Sequence, residues 1–209
     1  TFYKKLADTY VEGSSWARQE LEGSFEDVSG LKFQPDWFTE VEHVPFDAMR
    51  VRYWDKAAAD ASSDERGDWS VGVLVARTPD GLYWIEDVVR GQWSPHARNQ
   101  IMKETARKDA ADYNGTVSLW IEQEPGSGGK ESALASLDQL AAYGPHLESP
   151  RTNKEARSVN FQAQAEGGRI RVLKSPWLTE FVYECISFPN GKHDDQVDAC
   201  SGAINKLAM

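Results

Sequence analysis

The segment that most limits the possible folds is Ser70-Val-Gly-Val-Leu-Val-Ala76, which reads as a largely buried strand. Ahead of it Val51, Tyr53 and Asp55 alternate with Arg52 and Trp54, the two-residue period of a strand. Behind it Thr78-Pro-Asp-Gly81 signals a turn, and Leu82 to Val89 reads as the returning strand. Three strands in succession assemble most simply as an antiparallel set. Ser94-Pro95 then has the form of an N-cap with proline at the first helical position, opening a helix through about Tyr113 with Ala97, Ile101 and Thr105 on one face. Val117-Ser-Leu-Trp-Ile121 is a fourth strand, ended by Glu-Gln-Glu-Pro-Gly. Helical patterns recur at roughly 129 to 142, 153 to 165 and 194 to 207, with a small strand near Ile170 to Leu173. Three strands, a helix, a strand and further alternating elements make an α/β sheet of mixed strand direction.

The 209 residues, 40% of them apolar, suffice for one domain with some appended structure. The appended part falls at the start. Phe2, Leu6 and Tyr10 lie at helical spacing, and a charged stretch from Trp16 to Leu21 follows a Gly-Ser-Ser break, so residues 1–45 read as a helical lead-in and residues 46–209 as the domain proper. A helix under way at Thr1 suggests a piece of a larger protein. Apolar stretches are too short to cross a bilayer, and no secretory leader pattern opens the chain, so no membrane partner is expected. Cys185 and Cys200 lie among apolar neighbours without zinc-ligand spacing and read as reduced, buried thiols of a cytosolic protein. A net charge of −10 argues against a protein that coats nucleic acid, because phosphate binding relies on clustered Lys and Arg.

Some carboxylates are placed unusually. Asp55 and Glu122 each follow directly on an apolar strand, at the sheet rim where ligand sites of open α/β sheets collect, although a charge there also serves to end a strand. His193-Asp-Asp-Gln-Val-Asp198 stands at the start of the last helical pattern. Asp194 suits an N-cap, and carboxylates in a first turn favour the helix dipole. Yet three aspartates exceed what a cap needs, and helical spacing puts Asp194 and Asp198 on one face with Asp195 directed elsewhere. Carboxylates brought together raise one another's pKa, a cost that a bound divalent cation removes. Oxygen ligands without clustered Cys or His favour a hard cation, Mg²⁺ or Mn²⁺, and two such ions are the usual device for phosphodiester cleavage.

Five stretches together resemble one family: Tyr53-Trp-Asp-Lys-Ala57, Gly67-Asp-Trp-Ser-Val-Gly-Val73, Asp87-Val-Val-Arg-Gly-Gln-Trp-Ser-Pro95, Trp120-Ile-Glu-Gln-Glu-Pro-Gly-Ser-Gly-Gly-Lys130 and Asn190-Gly-Lys-His-Asp-Asp-Gln-Val-Asp-Ala199. The chain resembles, in order from about residue 50 onward, the C-terminal nuclease domain of the large terminase subunit of tailed bacteriophages. That resemblance implies a ribonuclease H-like fold, a mixed five-stranded sheet with helices on both faces. It implies an endonuclease that cuts concatemeric double-stranded viral DNA with two metal ions, Asp55 bridging them, Glu122 holding one and Asp195 completing the site. Asp194 is then a neighbouring ligand or a residue behind the ligands, Asp198 a further acidic contributor, and Asp68 a residue that fixes its loop. An N-terminal packaging ATPase in the same full-length chain, a portal, a small terminase subunit and the host cytoplasm are implied with it. Ser15-Trp-Ala-Arg-Gln-Glu-Leu-Glu-Gly23 resembles the connector between motor and nuclease.

Gly126-Ser-Gly-Gly-Lys130 is not a phosphate loop of the ATPase kind, because Glu124 and Glu131 break the required spacing. It reads as a flexible turn after Glu122, with Lys130 as a phosphate contact. DNA contact is expected otherwise from Arg151, Lys154, Arg157, Arg169, Arg171 and Lys174, the densest basic stretch, which equally reads as a solvated face. His193 is a weaker general-base candidate. Two alternatives stay open: a resolvase- or integrase-type nuclease on the same fold, and a non-catalytic module whose acids bind a structural cation.

Overall fold

The computed structural model describes residues 32–57, 69–123, 126–150 and 152–208. In chain order they form β1 (Phe38–Val41), β2 (Met49–Asp55), β3 (Ser70–Arg77), β4 (Tyr83–Gly91), α1 (Pro95–Asp112), β5 (Val117–Glu122), α2 (Gly126–Leu140), β6 (His146–Glu148), α3 (Lys154–Glu166), β7 (Ile170–Leu173), α4 (Leu178–Ser187) and α5 (Asp195–Leu207). All seven strands join one sheet in the order β1-β7-β4-β3-β2-β5-β6. As the sequence predicts, β2, β3 and β4 pair antiparallel in succession, and β3 is buried over nearly its whole length. The remaining pairings are parallel: β5 on β2, β6 on β5, β7 on β4 and β1 on β7.

The sheet is therefore larger than the five strands expected. The added edge strands β1 and β6 are only four and three residues long, too short to show a two-residue period in the sequence. Residues 32–45, assigned to the lead-in, thus carry a strand of the sheet, and Phe33 is fully buried. Phe33 packs 4.6 Å from Phe161 of α3, and Phe38 meets Phe181 of α4 edge-on at 6.2 Å. The remainder of the lead-in, residues 1–31, lies outside the described residues.

Helices cover both faces. On one, Trp54, Leu119 and Ile121 of the sheet pack with Met102 and Ala106 of α1 and Leu140 of α2. Ser94 caps α1 as expected, its hydroxyl accepting from the Ala97 amide at 3.3 Å. The buried face of α1 is however Arg98, Met102, Thr105, Ala106 and Asp109, rather than one through Ala97 and Ile101. Two charges could join it because each meets a polar partner from the sheet or its connecting segment. Asp109 takes both arms of the Arg52 guanidinium at 2.8 and 2.9 Å, while Arg98 donates to the Ala57 carbonyl at 2.9 Å. On the other face α5 lies across β2 and β3, with α3 and α4 packed against it. A Cβ on Gly202 of α5 would stand 2.5 Å from the Tyr53 ring, so the glycine is what lets this helix approach the strand that ends in Asp55. Cys185 and Cys200 are both free and buried, as expected. Among the described residues no helix is long and apolar enough to cross a membrane.

Candidate metal centre

Parallel pairing is what builds the site. β2 and β5 run side by side with Trp54 opposite Ile121, so Asp55 and Glu122, the next residues, leave the same end of the sheet on adjacent strands. β6 continues the row, placing Glu148 opposite Glu122. Neighbouring strands stand roughly 4.8 Å apart, which brings carboxylates at matched positions within reach of one another. From the Tyr53 face α5 adds Asp195 in its first turn and Asp198 one turn on, both buried.

The start of α5 is fixed from a neighbouring helix. Asp194 occupies the N-cap position, but its side chain makes no capping bond. Glu184 of α4 does that work, accepting the Gln196 backbone amide at 2.6 Å and the Gln196 side-chain amide at 2.5 Å. Asp194 turns instead to Lys154, whose ammonium donates to it at 2.7 Å.

The electrostatics are those of crowded like charges. Asp55 keeps some exposed surface at the rim, yet protein encloses it deeply, and desolvation, reinforced by Glu122, Asp198 and, more weakly, Asp195, pushes its pKa well above the usual carboxylate range. Glu122 is likewise raised by burial, against the opposing pull of Arg157. Tyr53 sits beneath, its hydroxyl donating to Glu148 at 2.8 Å and lying 3.3 Å from Glu122, and burial beside those two acids raises its pKa. Lys206 of α5 neutralises Glu148 at 2.6 Å.

Two cations from α3 reach into the cluster. Arg157 contacts Glu122 at 3.0 Å and Asp198 at 3.1 Å, and Lys154 contacts Asp198 at 2.8 Å as well as Asp194. Both Asp198 oxygens are thus met at ion-pair distance, although without good hydrogen-bond alignment to Arg157 or Lys154. Burial opposes the charge on each cation, but the acids outweigh it and raise both pKa values. An open cleft of roughly 380 Å³ adjoins the group, lined by Tyr53, Glu122, Glu148, Arg157, Asp198 and Asn205 among others.

The residues expected from the sequence therefore separate. Asp55, Glu122, Asp195 and Asp198 converge, and Asp194 flanks them. Lys154 and Arg157 lie within the cluster as counter-ions. Arg169 and Arg171 stand at β7, three strands and roughly 14 Å of sheet from β2, where Arg171 bonds Thr39 and local carbonyls and Arg169 bonds Gln164. Lys174 pairs with Glu42 at 2.7 Å. Lys130 is exposed on α2, whose helix begins at Gly126 where a flexible turn was expected. His193 meets Trp69 edge-on at 6.3 Å. Arg151 and Asp68 lie outside the described residues. The sequence reading missed Tyr53, Glu148 and Glu184 as parts of the site. Glu148 had a signal, since it precedes the Ser149-Pro150 break as Glu122 precedes its own, but a three-residue strand hid it.

As the side chains lie, no group of three or more His, Cys, Asp or Glu among the described residues is arranged around an ion. The donor chemistry nevertheless fits a hard divalent cation. Buried carboxylates that repel one another are the condition such a cation relieves, and two of them are already held by positive side chains.

A family model described as the terminase RNaseH-like domain matches residues 52–207. The chain belongs to that family. Solved structures of the terminase class share the fold. The large terminase nuclease from thermophilic phage G20c with bound zinc superposes with a TM-score of 0.59 at 16% identity, over 84% of this chain and 98% of that one. The same phage nuclease is also known with bound magnesium and with bound cobalt. The large terminase nuclease domain of Thermus phage P74-26 gives 0.58 at 13% identity, over 84% and 94%. Against the large terminase of another thermophilic bacteriophage, the terminase RNaseH-like chain spans 45% of the length, with a TM-score of 0.58 at 14% identity over 85% of this chain. No curated protein sequence matches it.

Proposed function

We propose that this chain is a divalent-metal-dependent endonuclease domain that cuts concatemeric double-stranded viral DNA during genome packaging. The observation that carries the reading is the convergence of Asp55, Glu122, Asp195 and Asp198 from two parallel strand ends and one helix start. In this reading Asp55, Glu122 and Asp195 would hold two Mg²⁺ or Mn²⁺ ions, with Asp198 and Asp194 contributing from the same helix. When bound, such a pair activates the attacking water and stabilises the leaving oxygen of a phosphodiester. The chain's own residues do the positioning. Tyr53 orients Glu122 and Glu148, Glu184 sets the start of α5, and the buried strands hold Asp55 rigidly at the rim.

Binding of zinc, magnesium and cobalt by the G20c nuclease supports the choice of a divalent ion. The match to a large terminase of which this chain covers 45% supports a full-length arrangement in which the segment before residue 32 leads to a packaging ATPase. A portal, a small terminase subunit and the host cytoplasm complete that setting. DNA contact is assigned to Lys154 and Arg157 beside the acids, with Lys130 and Arg151 nearby in sequence.

A plasmid-nicking assay at low salt tests the proposal, since Lys and Arg contacts to phosphate weaken as salt rises. The wild type is expected to convert supercoiled to nicked and linear DNA with Mg²⁺ or Mn²⁺. Asp55→Ala, Glu122→Ala and Asp195→Ala are each expected to lose at least roughly a hundredfold in rate, the scale of removing a group that organises the transition state. Cleavage that survives EDTA, or a variant that cuts at the wild-type rate, removes the metal role or that residue from the site. The ion pairs already present favour a second reading, a non-catalytic module with a neutralised acidic cluster, and it predicts no cleavage under any metal.

A further inference from the structure

Asp198 is among the most buried charges of the molecule, and two separate cations meet its two oxygens. Arg157 spans from Asp198 to Glu122, joining acids that come from α5 and β5. The backbone beneath it is anchored: Asn205 of α5 donates to the Arg157 carbonyl at 3.0 Å and accepts from Asn160 at 3.0 Å. The α3 backbone is thus pinned to α5, while the Arg157 side chain keeps 17% of its surface exposed and the Lys154 side chain 47%. A long side chain on a fixed backbone that keeps some exposed surface can swing into the adjoining cleft without moving its helix.

We propose that Lys154 and Arg157 are a cationic latch on the metal centre. They hold Asp198 and Glu122 as internal counter-ions, and a divalent cation binds those oxygens only by expelling them. The latch sets how much free metal the site needs before it loads, and it protects the acids from mutual repulsion until then. The displaced ammonium and guanidinium remain at the cleft, with lone positive charges directed to where a phosphate backbone would lie. Metal and DNA therefore favour the same displaced state, and each strengthens the binding of the other.

The inference rests on the metal-dependent reading, and its test reads binding rather than cleavage. Mn²⁺ affinity of the chain without DNA is measured calorimetrically for wild type, Lys154→Met and Arg157→Gln, with Lys103→Met on the far helix α1 as a control for net charge. Thermal melts in EDTA and in saturating Mn²⁺ accompany it. Both latch variants are expected to bind Mn²⁺ roughly tenfold more tightly than wild type, the scale of a partly buried ion pair. They are also expected to melt lower in EDTA and to recover most of that loss in Mn²⁺, whereas Lys103→Met changes neither. Equal or weaker Mn²⁺ affinity in both variants overturns the latch, as does the absence of binding in all of them. The nuclease reading fails differently, by wild-type protein that binds Mn²⁺ and leaves the plasmid intact.

Discussion

Arg52 shows how much a single buried side chain organises in this protein. It is 1% exposed, lies in the middle of β2, and is held by Asp109 from α1 and Asp87 from β4 at 2.8 Å each. Removing one partner leaves a charge in the core, so Asp109→Ala is expected to cost about 3–5 kcal/mol of stability. Urea denaturation checks this, and a loss below about 1 kcal/mol would show that water replaces Asp109 easily. Asp55 carries the opposite prediction. Its charge opposes folding because desolvation and neighbouring acids disfavour it. Asp55→Asn is therefore expected to raise the melting temperature in EDTA, on the order of 2–4 °C for each kcal/mol relieved, while abolishing metal-dependent cleavage. A melting temperature that falls in EDTA would contradict the repulsion. At this scale Asp55 and Glu122 were legible in the sequence, because each ends an apolar strand. Arg52 was not legible as a buried charge, nor Arg98 and Asp109 as core residues, since their partners come from distant segments.

Among the elements, α5 carries the most consequence because its position is set from outside itself. Glu184 on α4 caps its first turn, and Gly202 lets it settle against Tyr53. Glu184→Ala is expected to cost about 1–3 kcal/mol, having removed both a helix cap and the partner of a buried amide. Hydrogen exchange should localise the effect to the amides of Gln196 and its neighbours, and uniform exchange across the fold would contradict a local cap. Gly202→Ala is expected to destabilise by about 1–3 kcal/mol and to weaken Mn²⁺ binding, as α5 moves off β2 to make room. The α4 helix itself escaped the sequence reading: Leu178–Ser187 is short and apolar on most sides, a pattern shared by strands and buried helices. The capping role of Glu184 went with it.

For the whole molecule, the antiparallel meander and the mixed direction of the sheet were both foreseen, but the outer limits were not. The sequence reading placed the domain start at residue 46, whereas Phe33 and Phe38 pack against α3 and α4 and β1 covers the β7 edge. A chain shortened to begin at Phe46 is expected to lose cooperative thermal melting that one beginning at Lys32 retains, since deleting a buried aromatic alone costs about 3–5 kcal/mol. Equal melting of the two would return the boundary to residue 46. The topology also orders events in time. Asp55 comes from the second strand, Glu122 from the fifth, and Asp195 and Asp198 from the last described helix, which must lie across strands made long before it. A growing polypeptide therefore keeps Asp195 and Asp198 away from Asp55 and Glu122 until α5 has left the ribosome. On the proposed function, a nascent copy that stops short of α5 lacks two of the acids and has no blade to close on DNA.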